Sequence, residues 1–324
     1  MVSFLDQKSE NNQHWDDYWQ NAGRDDQALG GKRQQEVLKS HWTHFFEGVP
    51  DNVKILDIAC GSGAIFDHAS RLKGLPPSQV LIATDQSPSA VMRAEESHSA
   101  FGVATDASKM PFVSQSMDFI VSQFGIEYAG EAAFRDAARL LKPQGVLHFV
   151  CHCHGGAIYE ECDTQLEILS AVVECELFEA AANAILPSIN QRKDLSAPFA
   201  DKKAEERLGI AARKVRDVIV NAPETTARAL VGRYFNELLR LSERRLAFAA
   251  SDAEAWLDAA LASIMAYRDR MKSMTQAALT SEDISNLAQS YSELGIMLGK
   301  PELMFFSDKG KAGAWVLVGE LPAS

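Results

Sequence analysis

The chain has 324 residues, 46% of them hydrophobic and 23% charged, enough to bury a full core and to fill about one and a half to two domains at roughly 100–200 residues each. A net charge of −12 and a pI near 5.2 argue against a phosphate backbone or an anionic membrane surface as default partner. Five cysteines without CxxC pairing, no basic-then-apolar leading segment and no run near the ~18 apolar residues of a membrane span lead us to expect a reduced, cytoplasmic protein.

Residues 1–30 are polar except for His14, Trp15, Asp16, Asp17, Tyr18 and Trp19. Large aromatics on a solvated arm are costly to leave in water, so this arm is expected to dock. It packs on the core, or it also turns an aromatic face, such as that of Trp19, to a bound cation or base. From Gln34 to Phe46, Val37, Leu38, Trp42 and Phe45 have helical spacing. The rest of the chain is organised around Val53–Gly63, VKILDIACGSG. Its apolar run reads as a strand buried on both faces, with Asp57 near the end. Gly61 and Gly63 permit a sharp turn and close approach of a ligand, and Ala64 onward is helical. Free N–H groups at such a helix start attract an anionic group, and Asp57 meets a cationic or hydroxyl-bearing one. The stretch suits a nucleoside-like ligand.

The pattern then repeats. Val80–Thr84 is a second strand ending in Asp85, followed by Ser87 as cap and Pro88 at a helix start. Asp85 falls about twenty residues past the glycines, where a strand-end carboxylate can take both hydroxyls of a ribose. Phe101–Thr105 ends in Asp106 and Ala107, and Met117–Ser122 ends in Gln123, Phe124, Gly125, Ile126, Glu127 and Tyr128. Glu131–Leu141 is a helix stopped by Lys142 and Pro143, and Val146–Cys151 is the fifth strand. Alternating strands and helices predict a doubly wound, mostly parallel α/β sheet with ligands at the strands' carboxyl ends, where Asp57, Asp85, Asp106 and Gln123 all fall.

From Gly156 to about Leu294 the alternation stops. Helical stripes (Leu166, Leu169, Val173, Leu177; Leu230, Tyr234, Leu238, Leu241; Leu257, Leu261, Ile264) predict an all-helical insertion between the fifth and sixth strands. Ser251 with Glu254 and Thr280 with Asp283 read as capping boxes, and Pro187, Pro198 and Pro223 as breaks. Leaving from the ligand-bearing end of the fifth strand, the insertion is expected to roof the cleft and choose the substrate, or else to be a packing or homodimerisation module. Ile284, Leu287, Tyr291 and Leu294 return the chain to the sheet, and Leu303–Phe306 with Trp315–Gly319 form a closing antiparallel hairpin, giving seven strands.

At the junction stand Cys151, His152, Cys153 and His154. Adjacent strand positions face opposite ways, so at most two could serve one ion, and no metal site is expected. His152 or His154 is a candidate general base, with structural hydrogen bonding as the alternative. Glu127 and Tyr128 are candidate substrate contacts, Tyr128 alternatively a packing residue.

LDIACGSG, ATDQSPSAV, TDASKMPF, MDFIVSQFGIEYA and RLLKPQGVL, in this order, make residues 34–155 and 291–320 resemble the class I S-adenosylmethionine-dependent methyltransferase family. The resemblance implies a Rossmann-like domain over 34–155 and 291–324, with residues 1–33 as an arm and 156–290 as a lid or substrate region. It implies S-adenosyl-L-methionine as cofactor and S-adenosyl-L-homocysteine as product. By the same likeness Asp57, Ala59, Gly61 and Gly63 border the methionine end, Asp85 holds the ribose, Asp106, Ala107 and Gln86 meet the adenine, and Gln123 and Phe124 line the cleft under the sulfonium. Ala59 and Cys60 stand where glycines are frequent, and Gln144 replaces the glycine usual after Lys-Pro. A dinucleotide fold would need GxGxxG, but Phe66 occupies the third glycine's place. The implied activity is methyl transfer to a small molecule, with a protein methyltransferase or a non-catalytic cofactor-binding protein as alternatives.

Overall fold

The apolar runs that end in carboxylates are strands of one sheet. A computed structural model of the protein describes residues 15, 19, 31–70, 79–193, 202–306 and 310–323. These fall into two units, Met1–Glu160 with Ser273–Ser324, and Glu161–Lys272.

In the first unit, α1 (Gly31–Glu47) begins three residues before the expected Gln34 and buries Gln34, Leu38, Trp42 and Phe46. Strands β1 (Lys54–Ile58), β2 (Val80–Asp85), β3 (Phe101–Ala104), β4 (Met117–Gln123) and β5 (Leu141–His152) alternate with α2 (Ala64–Ser70), α3 (Pro88–His98) and α4 (Gly130–Leu140). They lie parallel in the order β3-β2-β1-β4-β5. Alternation along each strand feeds two cores. Leu56, Ile58, Ile120, Leu147 and Phe149 pack with Phe134 of α4, and Ile55, Val121 and Val150 pack with Leu38, Trp42, Phe46 and Phe66. As predicted, Ser87 caps α3 by accepting a bond from the Ala90 N–H, with proline in the first turn.

Between the fifth and sixth strands come α5 (Ala157–Glu174), α6 (Leu177–Lys193), α7 (Lys202–Asn221), α8 (Thr226–Glu243), α9 (Ala250–Ala277) and α10 (Ser281–Glu293). Pro187 lies inside α6 and does not break it. Burial of Leu177, Phe178, Ala181, Ile185 and Ile189 outweighs the one backbone bond that the proline forfeits. Pro223 does sit in a break, between α7 and α8, whereas Pro198 lies outside the described residues. Ser251 falls inside α9, its hydroxyl meeting Asp252, so it is not the cap expected there. Thr280 and Asp283 form the predicted capping box of α10. In the second unit the fully buried Gln165 accepts bonds from the Ala227 N–H and the Tyr267 hydroxyl, joining α5, α8 and α9. Helix α10 packs Ile284, Leu287 and Tyr291 into the Phe134 core, and the Tyr291 hydroxyl donates to the Phe134 carbonyl at 3.2 Å.

The sheet closes with β6 (Met297–Leu298), β7 (Glu302–Phe305) and β8 (Ala312–Glu320), β8 running antiparallel to β5 from Val146↔Glu320 to His152↔Ala314. Eight strands replace the expected seven because β6 and β7 both pair with β8, as one interrupted strand. The Gly299 N–H still bonds the Val318 carbonyl, but Pro301 has no N–H to continue the ladder. The turn between β7 and β8 lies partly outside the described residues.

Gln144 sits at φ 65°, the conformation that explains glycine after Lys-Pro in the resembled family, while its N–H bonds the Leu321 carbonyl at 2.6 Å. Gln144→Gly is expected to stabilise the protein by about 0.5–1 kcal/mol, less than the full relief of strain because glycine also loosens the unfolded chain. Thermal denaturation checks this, and an unchanged or lower midpoint contradicts it. Among the described residues no helix is long and apolar enough to cross a membrane.

Candidate functional site

The β1 end carries a carboxylate that the surrounding protein leaves unanswered. Asp57 is 1% exposed, and among the described residues neither of its carboxylate oxygens has a hydrogen-bond partner. Burial first, and the neighbouring Asp85 charge second, raise its carboxyl well above the usual range.

The loop after it is built on left-handed residues, with Ala59 at φ 54°, Gly61 at 53° and Gly63 at 87°. The alanine tolerates this conformation at a cost that glycine avoids. Two contacts show why the two glycines are glycines. A Cβ on Gly61 would stand 2.6 Å from Trp19 Cζ2, and one on Gly63 would stand 2.6 Å from His98 Cδ2. Asp85 ties this loop to the next helix. Its Oδ2 accepts from the Gly61 N–H and its Oδ1 from the Ser87 N–H, both at 2.9 Å. His98, which sequence reasoning passed over, reaches back from α3 to pack behind Gly63, with Asp67 Oδ1 3.7 Å away; burial lowers its pKa. Its only sequence signal is a histidine at the end of the helix that follows Asp85.

Gln86 and Asp106 are exposed beyond β2 and β3, and Asp106 Oδ1 accepts from the Ser108 N–H at 2.8 Å. Ala107 packs on the core. At the β4 end the Gln123 carbonyl oxygen accepts from Trp42 Nε1 at 2.6 Å, so part of its amide is engaged by α1. Phe124 follows at φ 53°. Ser122, buried and unforeseen, donates to the Ile58 carbonyl and accepts from the Ile126 N–H, stitching β1 to the turn after β4. A Cβ on Gly125 would come within 2.6 Å of Ala59 Cβ, so this glycine lets the β4 turn lie directly on the glycine loop.

The β5 end separates the two histidines. His152 is 3% exposed, its Nδ1 lies 2.7 Å from Glu127 Oε1, and its ring stands 4.5 Å from Phe124 and 5.8 Å, edge-on, from Tyr128. Trp15 meets Tyr128 edge-on at 5.4 Å, while Trp19 lies over Gly61 of the glycine loop. His154 is exposed, its ring tilted against Tyr159 at 4.4 Å. Strand alternation put both imidazoles on one face, but β5 ends at His152 and the chain turns at Gly155, φ 69°. Among the described residues no group of three or more His, Cys, Asp or Glu side chains is placed to hold a metal ion.

A buried, unanswered carboxylate beside a left-handed glycine loop, with a second carboxylate on the adjoining strand, fits an adenosyl amino acid. Comparison with known proteins gives the following. Residues 56–149 match the sequence model of a family described as a methyltransferase domain. Similar solved structures include a putative methyltransferase of Haloferax volcanii bound to the Trm112 activator, at 13% identity and TM-score 0.46 over 97% of this chain and 100% of that one. The plantazolicin methyltransferase BpumL with S-adenosylhomocysteine gives 11% and 0.45 over 96% and 95%. A SAM-dependent methyltransferase of Aquifex aeolicus gives 19% and 0.33 over 38% and 68%. No curated protein sequence matches significantly. Over residues 56–149 the chain is therefore similar to a methyltransferase domain.

Proposed function

We propose that the protein transfers a methyl group from S-adenosyl-L-methionine to a small-molecule acceptor. The observation that carries this reading is Asp57, whose burial without a partner is costly unless a cationic ligand completes it. In this reading Asp57 and the Ala59–Gly63 loop border the amino-acid end, Asp85 holds the ribose, and Gln86, Asp106 and Ala107 meet the adenine. Gln123 and Phe124 border the reacting sulfur. The cofactor supplies an electrophilic methyl group on a positively charged sulfur with a good leaving group, so the protein's part is to bind, exclude water and align.

A small acceptor is supported by the net charge of −12, which disfavours a nucleic acid, and by the aromatic corner that Phe124, Tyr128, His152 and Trp15 form. Incubation with tritiated-methyl cofactor and separate pools of metabolites and proteins tests this. Label is expected in the metabolite pool, and label confined to protein overturns the small-molecule reading.

A further inference from the structure

We propose that Glu127 and His152 form a carboxylate–imidazole dyad in which His152 Nε2 takes a proton from the acceptor, so that the acceptor is a hydroxyl compound or comparable weak acid. This rests on the methyltransferase reading above. The geometry fixes the dyad twice. Glu127, 2% exposed on the 3-10 turn Ile126–Ala129 after β4, accepts at the same Oε1 from the backbone N–H of His152 at 2.9 Å and stands 2.7 Å from its Nδ1. In the proposed dyad the Glu127 carboxylate accepts from Nδ1–H, which leaves the Nε2 lone pair for the acceptor's proton. The backbone bond holds the end of β5 and the side-chain bond holds the ring.

Its position links the dyad to the cradle. The imidazole lies against Phe124, and the next residue, Gly125, lies on Ala59 of the glycine loop. A buried carboxylate–imidazole pair is an expensive way to finish a strand end, since apolar side chains of like size would pack there without desolvating a charge. It does suit a base that must be oriented and whose protonated form must be held in a site with little water. His154, exposed on Tyr159, has neither the carboxylate nor the enclosure.

In the step this implies, the acceptor's O–H proton passes to Nε2, and an oxygen electron pair forms the bond to the methyl carbon. The carbon–sulfur bond breaks with its pair going to sulfur, giving the methyl ether and S-adenosylhomocysteine. Glu127 then pairs with the imidazolium until water removes the proton. An acceptor lacking such a proton, a thioether or a tertiary amine, has no use for the base. Glu127 is the positioning residue and His152 the base.

Nitrogen-15 NMR of the histidine-labelled full chain with S-adenosylhomocysteine tests this, with His152→Gln assigning the signal. A protonated Nδ1 and a bare Nε2 are expected at His152, and the reverse tautomer overturns the proposal. Glu127→Gln and His152→Gln are expected to keep S-adenosylhomocysteine affinity within about two-fold by calorimetry. Transfer to a panel of phenols, enols and alcohols should fall about 100–1,000-fold in kcat for His152→Gln and about 10–100-fold for Glu127→Gln. A His152→Gln protein that binds S-adenosylhomocysteine and keeps its kcat overturns the dyad. Failure of the wild-type protein to bind S-adenosylhomocysteine removes the methyltransferase reading itself.

Discussion

Asp57→Asn is expected to make the ligand-free protein more stable and a poorer binder of S-adenosylhomocysteine. Both effects come from one fact, that the carboxylate has no hydrogen-bond partner among the described residues. Replacing a buried, unanswered charge with a neutral amide of the same shape should add about 1–3 kcal/mol of stability at neutral pH, reduced by the amide's own need for partners. Losing the charge-assisted bond to the ligand's ammonium should weaken binding by about 10–100-fold. The pH dependence has a definite sign. The folded carboxyl titrates well above the unfolded one, so the unfolded chain releases its proton first as pH rises. Stability is therefore lost from about pH 4, the unfolded aspartate's value, up to the raised folded pKa. The asparagine variant lacks this loss, so its advantage in thermal denaturation should be larger at pH 8 than at pH 5. A gap of the same size at both values, or a destabilised variant, contradicts the assignment of Asp57 as a carboxylate held for a ligand.

Asp85→Ala should cost more in binding, about 30–1,000-fold, because the carboxylate acts in two ways. It is the proposed ribose contact, and it already accepts from the Gly61 and Ser87 N–H groups, so alanine also frees the glycine loop from the start of α3. Asp85→Asn keeps the shape and one acceptor oxygen and should fall between wild type and alanine. Calorimetry with S-adenosylhomocysteine, on variants shown to be folded by circular dichroism, separates the three. Affinity within about three-fold of wild type in Asp85→Ala contradicts the role.

Most of the sheet was legible because buried parallel strands leave a plain mark: short apolar runs, such as VKILDIA and VLIAT, that end in a polar residue at the ligand edge. Less legible was whatever depends on which way a backbone group faces. Pro301, which has no N–H to offer a ladder, stands in the gap between β6 and β7. Pro187 splits nothing because the stripe around it is buried on both sides of the proline. Side-chain pairs far apart in sequence left no trace at all. Glu127 and His152 are 25 residues apart and meet only because of a 3-10 turn and the last residue of β5. His41 and His148, 107 apart, bring their Nε2 atoms to 2.8 Å, and burial together with the His41 charge lowers His148 to about 3. Gln123 was legible as a strand-end amide, but its bond to Trp42 was not, since the register of α1 against β4 is a packing outcome.

The claim beneath all of this is that Asp57, Asp85 and the loop between them are shaped for an adenosyl amino acid. Isothermal titration of S-adenosylhomocysteine into the full-length, folded protein measures that directly. The account predicts saturable binding at one site per chain, which an equimolar mixture of adenosine and homocysteine does not reproduce. Titration of verified folded protein with no saturable binding contradicts it.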